Sequence, residues 1–212
     1  MRTFKFFTVL FLISTISYGQ IDLTAGMGIS FVNSSSLQDY INSNFPSNKE
    51  LSSFNTLLDL YLECDYMISD NYQVGFEYNY SLFSYTTSFG GIGQYDLNYV
   101  NHKPSALIYY LLQGYGYKLK FGGGLGPRFI DLDEKIGLSE NYKSTGLGIV
   151  LKAQGLTALS SDFYANIGVN LRFDAVGEPG NNGKKIYDYT INKNVNVNSL
   201  SVGVNIGITY SF

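Results

Sequence analysis

The chain has 212 residues, of which 15% are charged and 16% aromatic, and its formal net charge is −3. This balance provides no clustered basic patch, so we expect no nucleic-acid partner. Since Cys64 is the only cysteine, no intrachain disulfide can form. The 23 glycines and 19 tyrosines, without a tryptophan, favour closely packed strands that meet an apolar environment.

The first twenty residues, MRTFKFFTVLFLISTISYGQ, have the layout of a secretory signal peptide. Two basic residues precede an uncharged, largely apolar run over 6–16, and small residues stand before a cut that would leave Gln20 first. The run is too short to span a bilayer, which takes about 20 residues. We therefore predict a signal peptide over 1–19 and one mature domain over 20–212, an apolar first strand or anchor being the weaker alternative to the signal peptide.

Eight segments alternate apolar and polar residues with a period of two, the pattern of strands that have one apolar face. The last segment is the cleanest, because its polar row contains only Ser, Gly, Asn and Thr. The predicted strands are 21–31, 57–68, 72–82, 104–113, 116–129, 146–155, 163–174 and 199–212. The fourth is the least regular, and its apolar face is assigned to Ala106, Ile108, Tyr110 and Leu112.

The predicted connections alternate in length. Short ones follow the even strands, at 69–71, 113–115 and 157–162. Long polar ones follow the odd strands, at 33–55, 85–98, 131–144 and 175–196. Residues 36–45 within the first long connection are predicted to form a short helix. This alternation is typical of an up-and-down membrane barrel, so we expect both mature termini in the periplasm and Gly180 and Asn181 outside the cell.

A period of two does not say which face is inside, so a soluble lipocalin-like barrel is the main structural alternative. A polar row of Gly, Ser and Asn suits the narrow lumen of a membrane barrel. The apolar row of the clear strands has no acid or base, as expected for a lipid-facing row, because an Arg or Lys at mid-bilayer costs ~2–4 kcal/mol. Aromatic residues also gather near strand ends, as interfacial girdles do. They are Tyr66, Tyr72, Tyr80, Tyr115, Tyr117, Phe129, Phe163, Phe173, Tyr210 and Phe212.

The signal peptide, the eight alternating strands, the loop lengths and the final ITYSF resemble the small outer-membrane β-barrel domain family of Gram-negative bacteria. The resemblance covers the mature chain and implies an all-β, eight-stranded antiparallel, porin-like barrel in the cell outer membrane. It implies contact with outer-membrane lipids and lipopolysaccharide, and an unknown extracellular ligand. It also implies that Tyr210 and Phe212 belong to an assembly signal read by the barrel-assembly machinery.

Members of this family have varied roles, so the fold does not define the task. We predict a non-enzymatic protein with a structural or surface-interaction role carried by its long extracellular loops. A narrow diffusion channel and a lipid-modifying enzyme are the alternatives.

Nine charged residues fall on the polar, inward row. The acids lie on the second and third strands and the bases on the fifth to seventh, so they can pair across a narrow lumen. We favour a structural ionic network over an electrostatic gate, since eight strands leave little room for a pore. The nine are Asp59, Glu63, Asp65, Glu77, Lys118, Lys120, Arg128, Lys152 and Arg172.

Four other features invite a chemical interpretation. His102 and Ser105 are three apart in a strand and so face opposite sides, which disfavours catalysis. The glycines of 122–126 precede no helix, so they predict a wall that bends or admits a bulky neighbour rather than a phosphate loop. The acids of 131–135 lack calcium-loop spacing and predict a solvated acidic loop. Cys64 is predicted to face lipid as a small apolar residue. We predict no catalytic residue, cofactor or metal.

Overall fold

The structure is a computed structural model that describes residues 20–45, 51, 55–89 and 93–212. Its main elements are β1 (Ile21–Asn33), α1 (Ser35–Asn44), β2 (Asn55–Ser69), β3 (Tyr72–Phe89), β4 (Gly93–Gly114), β5 (Tyr117–Ile136), β6 (Leu138–Ala158), β7 (Phe163–Ala175) and β8 (Ser199–Ser211). Four two-residue strands lie between β7 and β8. The predicted signal peptide lies outside the described residues.

Each long strand pairs antiparallel with the next, and β1 pairs with β8, so the ring is closed. The closing ladder runs from Asp22 opposite Ser211 to Asn33 opposite Leu200. In hydrocarbon an open edge would leave backbone groups unpaired, at several kcal/mol each, and closure removes that cost. The predicted eight-stranded up-and-down barrel is confirmed.

In the part of the chain that is described, no helix is long and apolar enough to cross a membrane.

The apolar row of every barrel strand faces outward. Leu62 and Ile206, for example, expose 61% and 58% of their surface although both are aliphatic. On β4 the predicted outward residues, such as Ile108, are exposed, whereas Leu107 and Tyr109 are buried. Cys64 is exposed on this outer face. These side chains form a continuous apolar belt around the barrel, as contact with lipid requires.

The two ends of the barrel differ. At one end, here called the turn end, short connections join β2 to β3, β4 to β5 and β6 to β7. At the other, here called the capped end, the wall continues well past the belt. The connections predicted over 85–98 and 131–144 are therefore wrong: these residues extend β3 to β6 into a four-stranded sheet. Its β5–β6 turn is centred on Gly137, whose φ of 78° lies in the left-handed region.

The strand pattern was missed there because the apolar residues change from the outward face of the strands to the inward face. Within the belt, β4 turns apolar residues such as Ile108 outward, and its inward row mixes Lys103 with Leu107 and Tyr109. Beyond it, the same inward parity carries Tyr95 and Leu97, and the outward parity carries the more polar Asp96. The same change occurs on β5 and β6. The outer wall therefore passes from an apolar to an aqueous environment at one level.

Helix α1 packs inside this extension and closes the capped end. Its Leu37, Tyr40 and Ile41 are buried in an apolar cluster with residues of β4, β5 and the β7–β8 connection. Phe45 stacks on Tyr95 with ring centroids 4.1 Å apart. The short helix is marginal alone, so its stability comes from this packing. The predicted helix is confirmed, and its surroundings form a second core above the barrel.

We expect Val204→Arg to impair folding into lipid vesicles, because it puts a charge on the lipid-facing row of β8 at a cost of ~2–4 kcal/mol near mid-bilayer. The measurement is the folded fraction by heat-modifiable gel mobility, with Val204→Leu as the control. Normal folding of the Arg variant would mean that this face does not meet lipid.

Candidate functional site: an ionic lumen beneath an apolar cap

The centre of the lumen contains a chain of alternating charges. Asp65 contacts Lys120, which lies 3.2 Å from Glu63, and Lys152 bridges Glu63 to Glu77. Arg172 Nη2 ends the chain 2.7 Å from Glu77. These six side chains come from β2 and β3 on one wall and β5, β6 and β7 on the other, so the contacts cross the barrel. All six are buried.

Two further ion-pair groups lie at the ends of the lumen. Near the turn end, Lys118 Nζ is 3.0 Å from Asp22 Oδ1. Near the capped end, Asp174 accepts from Arg128 Nε at 2.5 Å and lies 3.7 Å from Lys103 Nζ. Each lysine or arginine therefore has an acid within reach. Asp59 has no such pair among the described residues and accepts instead from the hydroxyls of Ser30 and Ser81.

The lumen is balanced in charge. All nine predicted residues lie inside it, and the structure adds Asp22, Lys103 and Asp174, which makes six buried acids and six buried bases among the described residues of the lumen below the cap. Asp22 and Asp174 could have been found from their place on the polar row of their strands. Lys103 stands between His102 and Ser105, a segment that the sequence analysis considered only for catalysis. Which acid meets which base depends on the stagger of the strands. The role of this network remains a prediction.

Glycines open room for the large side chains that fill the remaining space. A Cβ on Gly122 would come within 2.6 Å of the Tyr109 ring, and one on Gly124 within 2.6 Å of the Leu107 side chain. The prediction that GGGLG lets a bulky neighbour into the lumen is confirmed. Tyr109 in turn donates from its hydroxyl to Glu63 at 3.1 Å. Apolar and ionic groups thus occupy the same narrow interior.

His102 and Ser105 lie on opposite sides of the wall. His102 is on the outer face, its Nδ1 hydrogen-bonded to the Tyr78 hydroxyl at 2.5 Å. Ser105 is buried in the lumen, where it accepts from Arg128 Nη1 at 3.1 Å. They share no contact, so they do not form a nucleophile–base pair.

The predicted solvated acidic loop at 131–135 is partly wrong. Asp133 is exposed, but Glu134 is buried beneath α1 and accepts a hydrogen bond from the Tyr40 hydroxyl at 2.8 Å. Burial raises the pKa of Glu134, and the charge of Glu140 adds to this shift, while the Tyr40 hydrogen bond opposes it. The reversed polarity of this sheet puts an acid in the cap. Among the described residues, no group of acids, His and Cys could hold a metal ion.

The terminal aromatics lie at the turn end. Tyr210 packs against Phe163 with ring centroids 4.9 Å apart, and Phe212 packs edge-on against Tyr210 at 4.6 Å. Both face outward at the edge of the apolar belt, where aromatic side chains favour the membrane interface. Their part in assembly remains a prediction.

We expect Arg128→Leu to lower the stability of the barrel by ~3–5 kcal/mol, because it removes the closest partner of a buried carboxylate, Asp174. The measurement is the urea unfolding midpoint in detergent. The control is Lys143→Leu, which breaks an exposed pair with Asp131 and should cost only ~0–1 kcal/mol. Equal midpoints for the two variants would mean that Arg128 is solvated.

The buried Glu134 predicts a pH-dependent cap. Since its pKa is raised in the folded state, its contribution to stability is complete below its ordinary pKa and is lost as pH rises through the folded value. Hydrogen exchange, corrected for its intrinsic pH dependence, should show weaker protection of α1 at pH 8 than at pH 4.5. Glu134→Gln should remove most of this difference and Asp133→Asn should not. A difference that persists in Glu134→Gln would assign the effect elsewhere.

Comparison with known proteins gives structural neighbours alone. No family model matches the sequence, and no match is found among curated proteins. A crystal structure of Ail, the attachment invasion locus protein of Yersinia pestis, in complex with the heparin analogue sucrose octasulfate has a TM-score of 0.55 and 14% identity, and the match covers 92% of this chain and 99% of Ail.

Two more solved structures are similar over nearly their whole length. Neisserial surface protein A (NspA) has a TM-score of 0.55 and 13% identity, with 91% of this chain and 97% of NspA covered. A major outer membrane protein from Thermus thermophilus has a TM-score of 0.53 and 11% identity, with coverages of 91% and 99%. The predicted outer-membrane location agrees with these neighbours. At such identities the likeness establishes the fold, and the chain is a small β-barrel of the outer-membrane type.

Proposed function

We propose that this protein is a non-enzymatic outer-membrane barrel whose capped end lies outside the cell and presents an ordered surface for binding. The observation that carries the proposal is the second apolar core at that end. Helix α1, the four-stranded extension and the β7–β8 connection share buried side chains, among them Leu37, Leu97, Leu132 and Val195. Ordered structure of this kind presents fixed side chains to a partner at a lower entropic cost than mobile loops.

The filled lumen argues against the alternative of a diffusion channel. Lys120 at the centre of the lumen and Arg128 nearer the capped end have no solvent exposure, and each is engaged by an acid. A conducting pore needs a path in which an ion exchanges its hydration for weak, successive contacts. Strong ion pairs that fill the interior, beneath an apolar plug, provide no such path.

The enzyme alternative lacks an assembled site in the described residues. Acyl-transfer or hydrolytic chemistry requires a nucleophile, a base and an orienting group in contact. The single histidine, His102, contacts Tyr78 on the outer face, and Ser105 contacts Arg128 on the inner one. This separation supports a role without catalysis.

The exposed surface of the capped end combines aromatic, aliphatic and basic side chains. Leu138 at the β5–β6 turn and Tyr189 in the β7–β8 connection expose 84% and 79% of their surface. Lys184, Lys185 and Lys193 lie in the same connection as Tyr189 and are exposed. Since Ail was crystallised with a heparin analogue, a sulfated saccharide is a suitable first probe for this surface.

The turn end then faces the periplasm. In this orientation the apolar belt contacts outer-membrane lipids and lipopolysaccharide, and the row ending in Tyr210 and Phe212 is presented to the barrel-assembly machinery during insertion. Both termini of the barrel domain lie at this end.

We expect an epitope tag inserted after Gly180 to bind antibody on intact cells, while the same tag after Ser160, in the β6–β7 turn, binds only after the outer membrane is permeabilised. The purified protein should show no channel conductance in planar bilayers. Detection of the Ser160 tag on intact cells would mean that the turn end lies outside the cell. Stable conductance would mean that the protein is a channel.

Binding is tested separately with an immobilised sulfated saccharide. Exchanging Lys184, Lys185 and Lys193 for Gln should weaken retention, whereas Lys135→Gln, at the end of β5, should change it little. If the unmodified protein is not retained, sulfated saccharides are not its ligand class. The orientation of the barrel would not be affected by that result.

A further inference from the structure

The outer wall has a concave region at β8, β1, β2 and β3, where a convex barrel surface is expected. Two adjoining open depressions, of about 540 and 390 Å³, share Ala25, Leu62 and Tyr78. At this level Ile208, Ala25, Leu62 and Tyr78 are direct neighbours across the four strands. The short side chain of Ala25 between larger ones creates the floor. We call this region the trough.

The trough lies within the apolar belt. Phe76 lines its part nearer the turn end and Tyr80 its part nearer the capped end. The two residues are four positions apart on β3, a length of ~13 Å at ~3.3 Å per residue. The larger depression exposes mostly apolar side chains, including Leu23 and Cys64. The trough extends a similar distance across the wall, three strand spacings of ~4.8 Å from β8 to β3, and such an open apolar depression inside the belt accommodates a hydrocarbon chain.

A polar group stands where the trough approaches the capped end. The ring of His102 lies beside Tyr78 and Tyr80, with centroid separations of 6.1 and 5.1 Å. The Tyr78 hydroxyl is 2.5 Å from His102 Nδ1. We assign the Tyr78 hydroxyl as the donor to Nδ1, which places the ring proton on Nε2. This leaves an N–H donor on the outer face of the wall.

The depth of His102 corresponds to the membrane interface. Towards the capped end, the outward residues of β4 are Val100, then the exposed Asn98 and then Asp96. Towards the turn end, the outward residues are Pro104, Ala106 and Ile108. The ring therefore lies within two outward positions of the polar wall, near the level of lipid ester and phosphate oxygens.

We propose that the trough and the Tyr78–His102 pair form a binding site for a single membrane lipid. One acyl chain lies over Ala25, between Leu62 and Ile208, and a phosphate or ester oxygen of the same molecule accepts from His102 Nε2–H. A second copy of the barrel fits this surface less well, because its convex wall leaves the concavity unfilled.

The test counts lipids on the intact barrel. The protein is extracted in mild detergent, its folding is checked by heat-modifiable mobility, and retained lipids are measured by native mass spectrometry. Ala25→Leu fills the floor and His102→Phe keeps the ring but removes the donor. The control, Ala153→Leu, adds the same side chain to the outer face of β6, on the other side of the barrel.

We expect one lipid on the unmodified protein and on Ala153→Leu, and an occupancy lower by about fivefold in His102→Phe, the effect of losing one hydrogen bond. Ala25→Leu should lose the lipid as well, and if it fails to fold, Cys64→Phe narrows the trough from the neighbouring strand. Adding back a phospholipid or lipid A to delipidated protein shows which of the two phosphate lipids is retained.

Equal lipid retention by all variants would overturn the proposal. So would a dimer that is present in the unmodified protein and lost in Ala25→Leu, since the face would then be a contact between copies. Neither result bears on the capped end, so the inference and the proposed function fail independently.

Discussion

The structure depends on one constraint, which is that hydrocarbon surrounds the wall and can accept no hydrogen bond. The backbone must then be paired within the ring, and the β1–β8 ladder provides the last set of bonds. Side chains obey the same constraint. Charged residues of the belt region point inward, and most of the outward row is aliphatic or aromatic. Past the belt the constraint ends, and the same strands turn their apolar residues inward instead.

Balanced charge in the lumen follows from this arrangement. Inward residues must fill a narrow space, and a lysine such as Lys152, with no exposed surface on its ammonium-bearing side chain, needs opposite charge to offset desolvation. Glu63 and Glu77 supply it from across the barrel. Contacts of this kind join strands far apart in sequence, so they favour one stagger of the wall over others. The gain is in specificity of pairing more than in net stability.

Sequence periodicity was sufficient for the eight strands and for the face of each, including the ambiguous β4. It failed beyond the belt, where the apolar residues of a strand face inward instead of outward. Residues 85–98 and 131–144 still alternate, but with apolar residues inward, so a criterion based on a polar lumen ended the strands too early. Partners such as Asp174 for Arg128 were not predictable either, because they depend on how far each strand slides past its neighbours. The burial of Glu134 required knowledge that α1 folds over it.

The reversal of polarity along β4 is the central claim, since it locates the membrane, the lumen and the cap together. Spin labels at single cysteines on the outward positions of β4, in a Cys64→Ala background, measure it directly in lipid vesicles. The account predicts collisions with dissolved oxygen, which concentrates in lipid, at positions 106, 108 and 110, and collisions with a water-soluble nickel complex at positions 94, 96 and 98, with the crossover near His102. Water-type accessibility at position 108, or lipid-type accessibility at position 96, would contradict it.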